Sequence, residues 1–152
     1  MEEKKDDRVR TLDEVVGANV RARRAGLGLK QSDLAETLET LLGGWSGPVV
    51  SRLEAGRRSA SVSELIALAT VLNATPDELL DPTSVGDKRP VNLWGQWLID
   101  AKKLRVVVRG EVRMQTSVRD GKITQRYEAT DRGDPLSVMT LMVPERSREE
   151  GS

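Results

Sequence analysis

Trp45-Ser46-Gly47-Pro48-Val49-Val50-Ser51-Arg52-Leu53-Glu54-Ala55-Gly56-Arg57-Arg58 is the stretch that decides how this chain folds. Ser46 suits a helix N-cap, where its hydroxyl can accept an orphan backbone N–H. Gly47 and Pro48 fall in the first turn, where a missing N–H costs little and the fixed φ of proline suits a helix. Gly56 suits the left-handed residue that ends it. At about 100° per residue, Val50 and Leu53 share a side that can bury, while Pro48, Ser51, Arg52 and Ala55 project the other way. That outer face is small except for Arg52. A smooth face with one forked donor suits a DNA major groove, where arginine pairs bidentately with guanine. Arg57 and Arg58 follow, placed for backbone phosphates.

Working outward, helical signals flank this stretch on both sides. Thr11-Leu12-Asp13-Glu14 reads as a capping box, with each side chain satisfying the other residue's backbone N–H. It opens a helix to about Ala25 whose apolar stripe is Val16 and Val20 and whose basic side is Arg21, Arg23 and Arg24. A second helix runs from about Gln31 to Leu42, with Leu34, Ala35, Leu38, Leu41 and Leu42 on one face. Ser61-Val62-Ser63-Glu64 and Thr75-Pro76-Asp77-Glu78 open two more helices in the same way. Five helices joined by short turns predict a compact all-α domain over 11–80.

The segments Leu29-Lys30-Gln31-Ser32-Asp33-Leu34-Ala35, Val50–Arg58 and Leu65–Leu80 resemble the Cro/C1-type helix-turn-helix (XRE) family of transcriptional regulators. The resemblance covers about residues 12–80 and implies a five-helix, lambda-repressor-like fold. It implies that Gln31 bonds a phosphate through side chain and backbone. It also implies that Ser46, Gly47, Pro48, Ser51 and Arg52 face bases or the nearby backbone. Lys30, Val49, Arg57 and Arg58 complete the expected DNA-binding set. Between Ala35 and Ser51 the chain is about five residues longer than the family pattern, with the excess placed in Glu39–Gly44. Gly47 and Pro48 stand where polar base-contacting residues are common, so direct readout is expected to be sparse.

Composition narrows the function classes. The 152 residues carry no Cys and no His. That removes thiolate and imidazole catalysis, Cys/His zinc sites and disulfides. No catalytic residue, metal or cofactor is expected, and the chain reads as no enzyme. Lys and Arg total 24, as do Asp and Glu, but between Arg8 and Arg58 nine basic residues stand against six acidic ones. No apolar run reaches membrane-spanning length and Met1–Asp7 is no signal peptide, so a cytoplasmic protein is the expectation.

Beyond the helices, residues 1–10 read as a charged, disordered tail, 81–90 as a linker, 91–144 as a small α+β domain and 145–152 as a second tail. Leu93, Trp94, Trp97, Leu98 and Ala101 recur at helical spacing. From Leu104 the period changes to two, which predicts strands. Asp120-Gly121 is a strong hairpin turn. Folding about it pairs Val118 with Ile123, Met114 with Tyr127, Val112 with Ala129 and Arg113 with Glu128. The hairpin stands alone or joins a third strand, Leu136–Val143. Arg105, Arg109, Arg113, Arg119, Lys122 and Arg126 fall on its outer face. They read first as solvated edge charges and secondly as a further contact to DNA or an anionic effector. Arg132-Gly133-Asp134 resembles half of a cyclic-dinucleotide motif of the family, without the second half. The Ser–Lys self-cleaving domain of some phage repressors is too large for this segment.

The reading is a sequence-specific double-stranded-DNA-binding transcriptional regulator, a repressor, dimerised through its C-terminal part on an inverted-repeat operator. The alternatives are a phage or mobile-element immunity repressor and, from another class, an antitoxin-like protein-interaction module. No small-molecule effector is assigned.

Overall fold

The structure is a computed structural model that describes residues 8–94 and 97–129. Its backbone falls into two compact units divided after Val108.

In the first unit, five helices follow one another. They are α1 (Leu12–Gly26), α2 (Gln31–Leu42), α3 (Gly47–Glu54), α4 (Val62–Val71) and α5 (Pro76–Leu80). The three capping boxes form as the sequence predicts. Thr11 with Glu14, Ser61 with Glu64 and Thr75 with Glu78 each exchange side-chain and backbone hydrogen bonds. Val16, Val20, Leu34, Leu38, Val50, Leu53, Leu68, Leu72 and Leu79 build one aliphatic core, and Trp45 closes it. Leu41 and Leu42 do not join it, although their spacing predicts that they should. They are 57% and 40% exposed, because the last turn of α2 runs past the core into Gly43 and Gly44, both at positive φ.

A second layer rests on the other side of α1. β1 (Arg10–Thr11) pairs parallel with β2 (Val91–Trp94), and β2 pairs antiparallel with β3 (Trp97–Ile99). α6 (Ala101–Val108) follows. Val15, Val91 and Leu104 form its buried centre, with Leu12, Leu93, Ile99 and Val108 packed around them. This corrects the sequence reading twice. The helix expected over 93–101 is two short strands, and the strand expected from Leu104 begins in a helix. Short apolar runs satisfy both periods, and Ala101, Leu104 and Val108 fit a helical face as well as an alternating one. The overlooked signal was Asp100, whose carboxylate accepts from the Lys102 N–H at 2.9 Å and whose carbonyl accepts from Leu104 at 3.0 Å.

Arg10, assigned to a disordered tail, is buried. Its Nη2 donates to the carbonyls of Pro82, Asp87 and Arg89 at 3.0–3.1 Å. Its N–H donates to Pro90 at 3.1 Å. Burial lowers its pKa, and the Asp87 carboxylate opposes that fall. The segment 81–90 is therefore tied down rather than free. Asn19 Nδ2 donates to the carbonyls of Leu79 at 2.9 Å and Asp81 at 2.8 Å, which holds the end of α5 against α1.

The second unit contains the hairpin of β4 (Val112–Arg119) and β5 (Lys122–Ala129). Its register agrees with the sequence in all four expected pairs. Asp120 at φ +50° and Gly121 at φ +73° make the two-residue turn, as a primed turn requires. The fold class is thus a five-helix domain followed by a small α+β part with this hairpin. The third strand expected at Leu136–Val143, the Arg132-Gly133-Asp134 motif and the 145–152 tail lie outside the described residues, as do the side chains of Trp94 and Trp97.

Because Leu104 is buried against Val15 and Val91, Leu104→Ala should cost about 2–4 kcal/mol of stability, measured by denaturant unfolding. A loss under 1 kcal/mol would mean that the second layer contributes little to the helical unit.

Candidate nucleic-acid interface

The outward face of α3 exists because its inward face is locked to α1 and α2. Gly17 of α1 lies against the end of α3, where a Cβ would overlap the carbonyl oxygens of Leu53 and Glu54. Gly56, at φ +68°, ends the helix against Glu14, and a Cβ there would sit 2.8 Å from the Glu14 Cα. Its N–H donates to Leu53 and that of Arg57 to Arg52, both at 2.9 Å, so the last carbonyls of α3 are satisfied.

Glu54 follows Val50 by one turn on the buried side of α3. Arg24 of α1 reaches it with both arms of the fork, Nε to Oε1 at 2.5 Å and Nη2 to Oε2 at 3.0 Å. The third guanidinium nitrogen donates to the Leu29 carbonyl at 2.6 Å, in the turn that leads into α2. Gln31 Nε2 donates to Glu54 Oε2 at 2.8 Å. The hydrogen bond to Glu54 raises the Arg24 pKa above its ordinary value, outweighing the effect of burial. One carboxylate therefore ties together α1, the start of α2 and α3. The sequence reading missed this pair. The signal was an acid on an apolar face, which must find a partner or destabilise the fold.

The expected contact residues separate into three groups. Ser46, Pro48, Ser51, Arg52 and Arg57 are exposed, as is Lys30 at the start of α2. Arg52 and Arg57 have no side-chain partner among the described residues. Gly47 is half-buried, and a Cβ there would meet nothing within 4 Å. Val49 packs against the core and leaves the outward set. Gln31 gives one side-chain amide hydrogen to Glu54, which leaves its second amide hydrogen and its backbone N–H at the first turn of α2 to meet a phosphate.

Ser46 occupies the N-cap of α3 but makes no side-chain cap bond, contrary to expectation. Proline as the second helical residue offers no N–H to it. The Trp45 N–H is instead held by Glu39 Oε2 at 2.5 Å, from the lengthened end of α2.

Arg58, expected on phosphate, is engaged within the fold. Its guanidinium lies 4.7 Å from the centre of the Trp45 ring and pairs with Glu64, a stacked arrangement favourable to a cation. Burial pushes the Glu64 carboxyl up. The Arg58 side chain and the Ser61 N–H and hydroxyl overcome this and hold it below the usual range.

The second basic set does not belong to one element. Arg105 belongs to α6, where it pairs with the buried Asp81 at 3.5 Å. Arg109 follows the end of α6. Arg113, Arg119, Lys122 and Arg126 occupy register positions on one face of the hairpin, with Glu128 directly across from Arg113. The sequence reading grouped six residues because it continued the strand back to Leu104. Among the described residues no His, Cys, Asp or Glu cluster could hold a metal ion, and no helix is long and apolar enough to cross a membrane.

A family model for a helix-turn-helix domain matches residues 15–81. Among solved structures, the restriction-modification controller protein C.AhdI from Aeromonas hydrophila is similar. It is 34% identical, covers 44% of this chain and 94% of its own, and superposes with a TM-score of 0.36. A comparison with curated proteins found no match.

Two outcomes follow from the internal pairs. Arg24→Ala leaves Glu54 buried without its partner and should destabilise the domain by about 3 kcal/mol, as thermal unfolding would show. A loss within 0.5 kcal/mol would mean that the pair does not hold α3. The second concerns pH. Glu64, Glu78 and Asp87 all have folded pKa values below the ordinary ones. For Glu78 the leading cause is the Thr75 backbone N–H, and for Asp87 the Arg89 side chain. A depressed carboxyl stabilises the fold above its unfolded pKa, about 4, and that contribution disappears as pH falls through the folded value. The unfolding midpoint should therefore drop below about pH 4, and less steeply in Glu64→Gln. Equal steepness in the two proteins would remove Glu64 from this account.

Proposed function

The chain belongs to the XRE-type helix-turn-helix family, and we propose that it represses transcription by inserting α3 into the major groove of a specific operator. Residues 15–81 are a helix-turn-helix DNA-binding domain. The observation that carries the finer reading is the division of labour on α3. Glu54 is locked to Arg24 and Gln31 on the inner side, while Pro48, Ser51 and Arg52 stand exposed on the outer one. Held in this way, Arg52 reads a guanine through a two-pronged contact. Lys30, the Gln31 N–H and Arg57 meet the phosphates that flank it.

A single α3 covers only a few base pairs, so the protein acts as a symmetric homodimer on two half-sites about one helical turn apart. The C-terminal part supplies the pairing. Leu93, Ile99, Leu104 and Val108 are engaged on Val15 within one chain, while Leu98 and Val107 are exposed and open to pairing. Sedimentation of the full-length protein gives the mass of a dimer on this reading, and a monomer on an asymmetric site overturns it.

Selecting bound duplexes from a random pool with the full-length protein tests the function directly. An inverted repeat should emerge. Arg52→Ala should then bind it ~1–3 kcal/mol more weakly and lose preference at one position per half-site. Equal losses on specific and random DNA would make Arg52 a phosphate contact. Arg57→Ala should lower the slope of log affinity against log salt by about 1 per half-site, and Arg58→Ala should leave it unchanged. A lower slope for Arg58→Ala would place that side chain on DNA instead of on Trp45 and Glu64.

A further inference from the structure

Past the exposed hydroxyl of Ser46 at the N-cap, the first turn of α3 carries no side-chain hydrogen-bonding group. In a recognition helix the N-terminal residues reach the base edges. Here they are Gly47, which has no side chain, Pro48, which has neither a polar side chain nor an N–H, and Val49, which is half-buried against the core. Of the polar groups nearby, Arg58 is engaged internally and Gln31 gives one of its two amide hydrogens to Glu54. Pro48 is exposed, and the space in front of Gly47 is open. A smooth apolar ring at that position cannot distinguish donors from acceptors. The feature of the major groove that an apolar group recognises is the methyl on C5 of a pyrimidine.

We propose that Pro48 is a specificity-determining residue that packs on a pyrimidine C5-methyl group, close to the guanine read by Arg52. The inference rests on the DNA-reading function of α3 proposed above. Pro48 and Arg52 are four residues apart on one face, a rise of ~6 Å along the helix. Successive base pairs are ~3.4 Å apart, so the methyl and the guanine lie within about two base pairs of each other. Ser51 lies beside them and supplies a hydroxyl that suits any base. The code of a half-site is then short, one guanine and one methylated pyrimidine, with the remaining affinity drawn from phosphates. The methyl belongs to a thymine or to a methylated cytosine. Both present the same group to the groove.

The test uses the full-length protein and its selected operator, resynthesised with uracil at one thymine at a time. Uracil keeps every hydrogen-bonding group of thymine and removes only the methyl. One position per half-site should bind about fourfold more weakly, the factor expected for one methyl left in water. Pro48→Ser should abolish that thymine-over-uracil preference while keeping the guanine preference, and Arg52→Ala should do the reverse. In a parallel series each cytosine becomes 5-methylcytosine. A gain of the same size at one cytosine, lost in Pro48→Ser, would support the methyl contact and name methylated cytosine as its source. Sequence-specific binding with no sensitivity to any pyrimidine methyl overturns the inference and leaves the proposed function standing. Sensitivity that survives Pro48→Ser also overturns it. A pool that yields no preferred sequence overturns both. Should Pro48→Ser lose its helical circular dichroism, the uracil series on the unaltered protein decides alone.

Discussion

Everything the N-terminal domain offers to a ligand depends on the pair of Arg24 and Glu54. An ionised carboxylate inside a protein is costly unless its charge and lone pairs are all met. Here a planar fork meets both oxygens, and Gln31 adds a third donor. The geometry is demanding, and that is its structural consequence. α3 has one position relative to α1 and α2 in which the carboxylate is satisfied, and Gly17 allows the close approach that this position needs. A helix that presents a single long side chain to a base pair must be held in this way, because small displacements at its backbone are amplified at the guanidinium.

α1 is the element on which the first unit is assembled. Val16 and Val20 face the helical core, while Val15 and Leu12 face the layer formed by β2, β3 and α6. Arg10, just before α1, fastens the 82–90 segment through three carbonyls. One helix thus carries two apolar contacts, with the buried Arg10 just before it and the half-buried Arg24 near its end. A chain without phenylalanine and with a single tyrosine builds both contacts mainly from valine and leucine. Such contacts are small individually, which explains why polar staples recur at their edges.

The same economy shapes the interface. Polar groups near α3 are divided between holding the helix and facing outward. Gln31, Arg24 and Arg58 serve the first purpose, and Arg52, Arg57, Ser51 and Lys30 are left for the second. An arginine-rich sequence therefore presents a smaller charged surface than its composition suggests. This is consistent with a chain whose formal charges balance.

Much of this was legible in the chain itself, because it was local. Capping boxes, the proline in the first turn of α3, the left-handed glycine after it and the Asp120-Gly121 turn each act over two to four residues, and they read correctly. The hairpin register followed from its turn and its alternation, and the outward face of α3 from the helical period. What tertiary structure decided was every choice between competing local answers and every long-range partner. Residues 93–108 satisfied two periods, and only packing on Val15 selected strands followed by a helix. Leu41 and Leu42 matched the core pattern but lay beyond the core's reach. Arg10, Gln31, Arg24 and Arg58 read alike as solvated or DNA-facing cations and amides. Their actual roles depend on Pro82, Glu54 and Trp45, which stand 72, 30 and 13 positions away from Arg10, Arg24 and Arg58. Sequence spacing carries no information about such distances, because the partners meet only after the helices have packed.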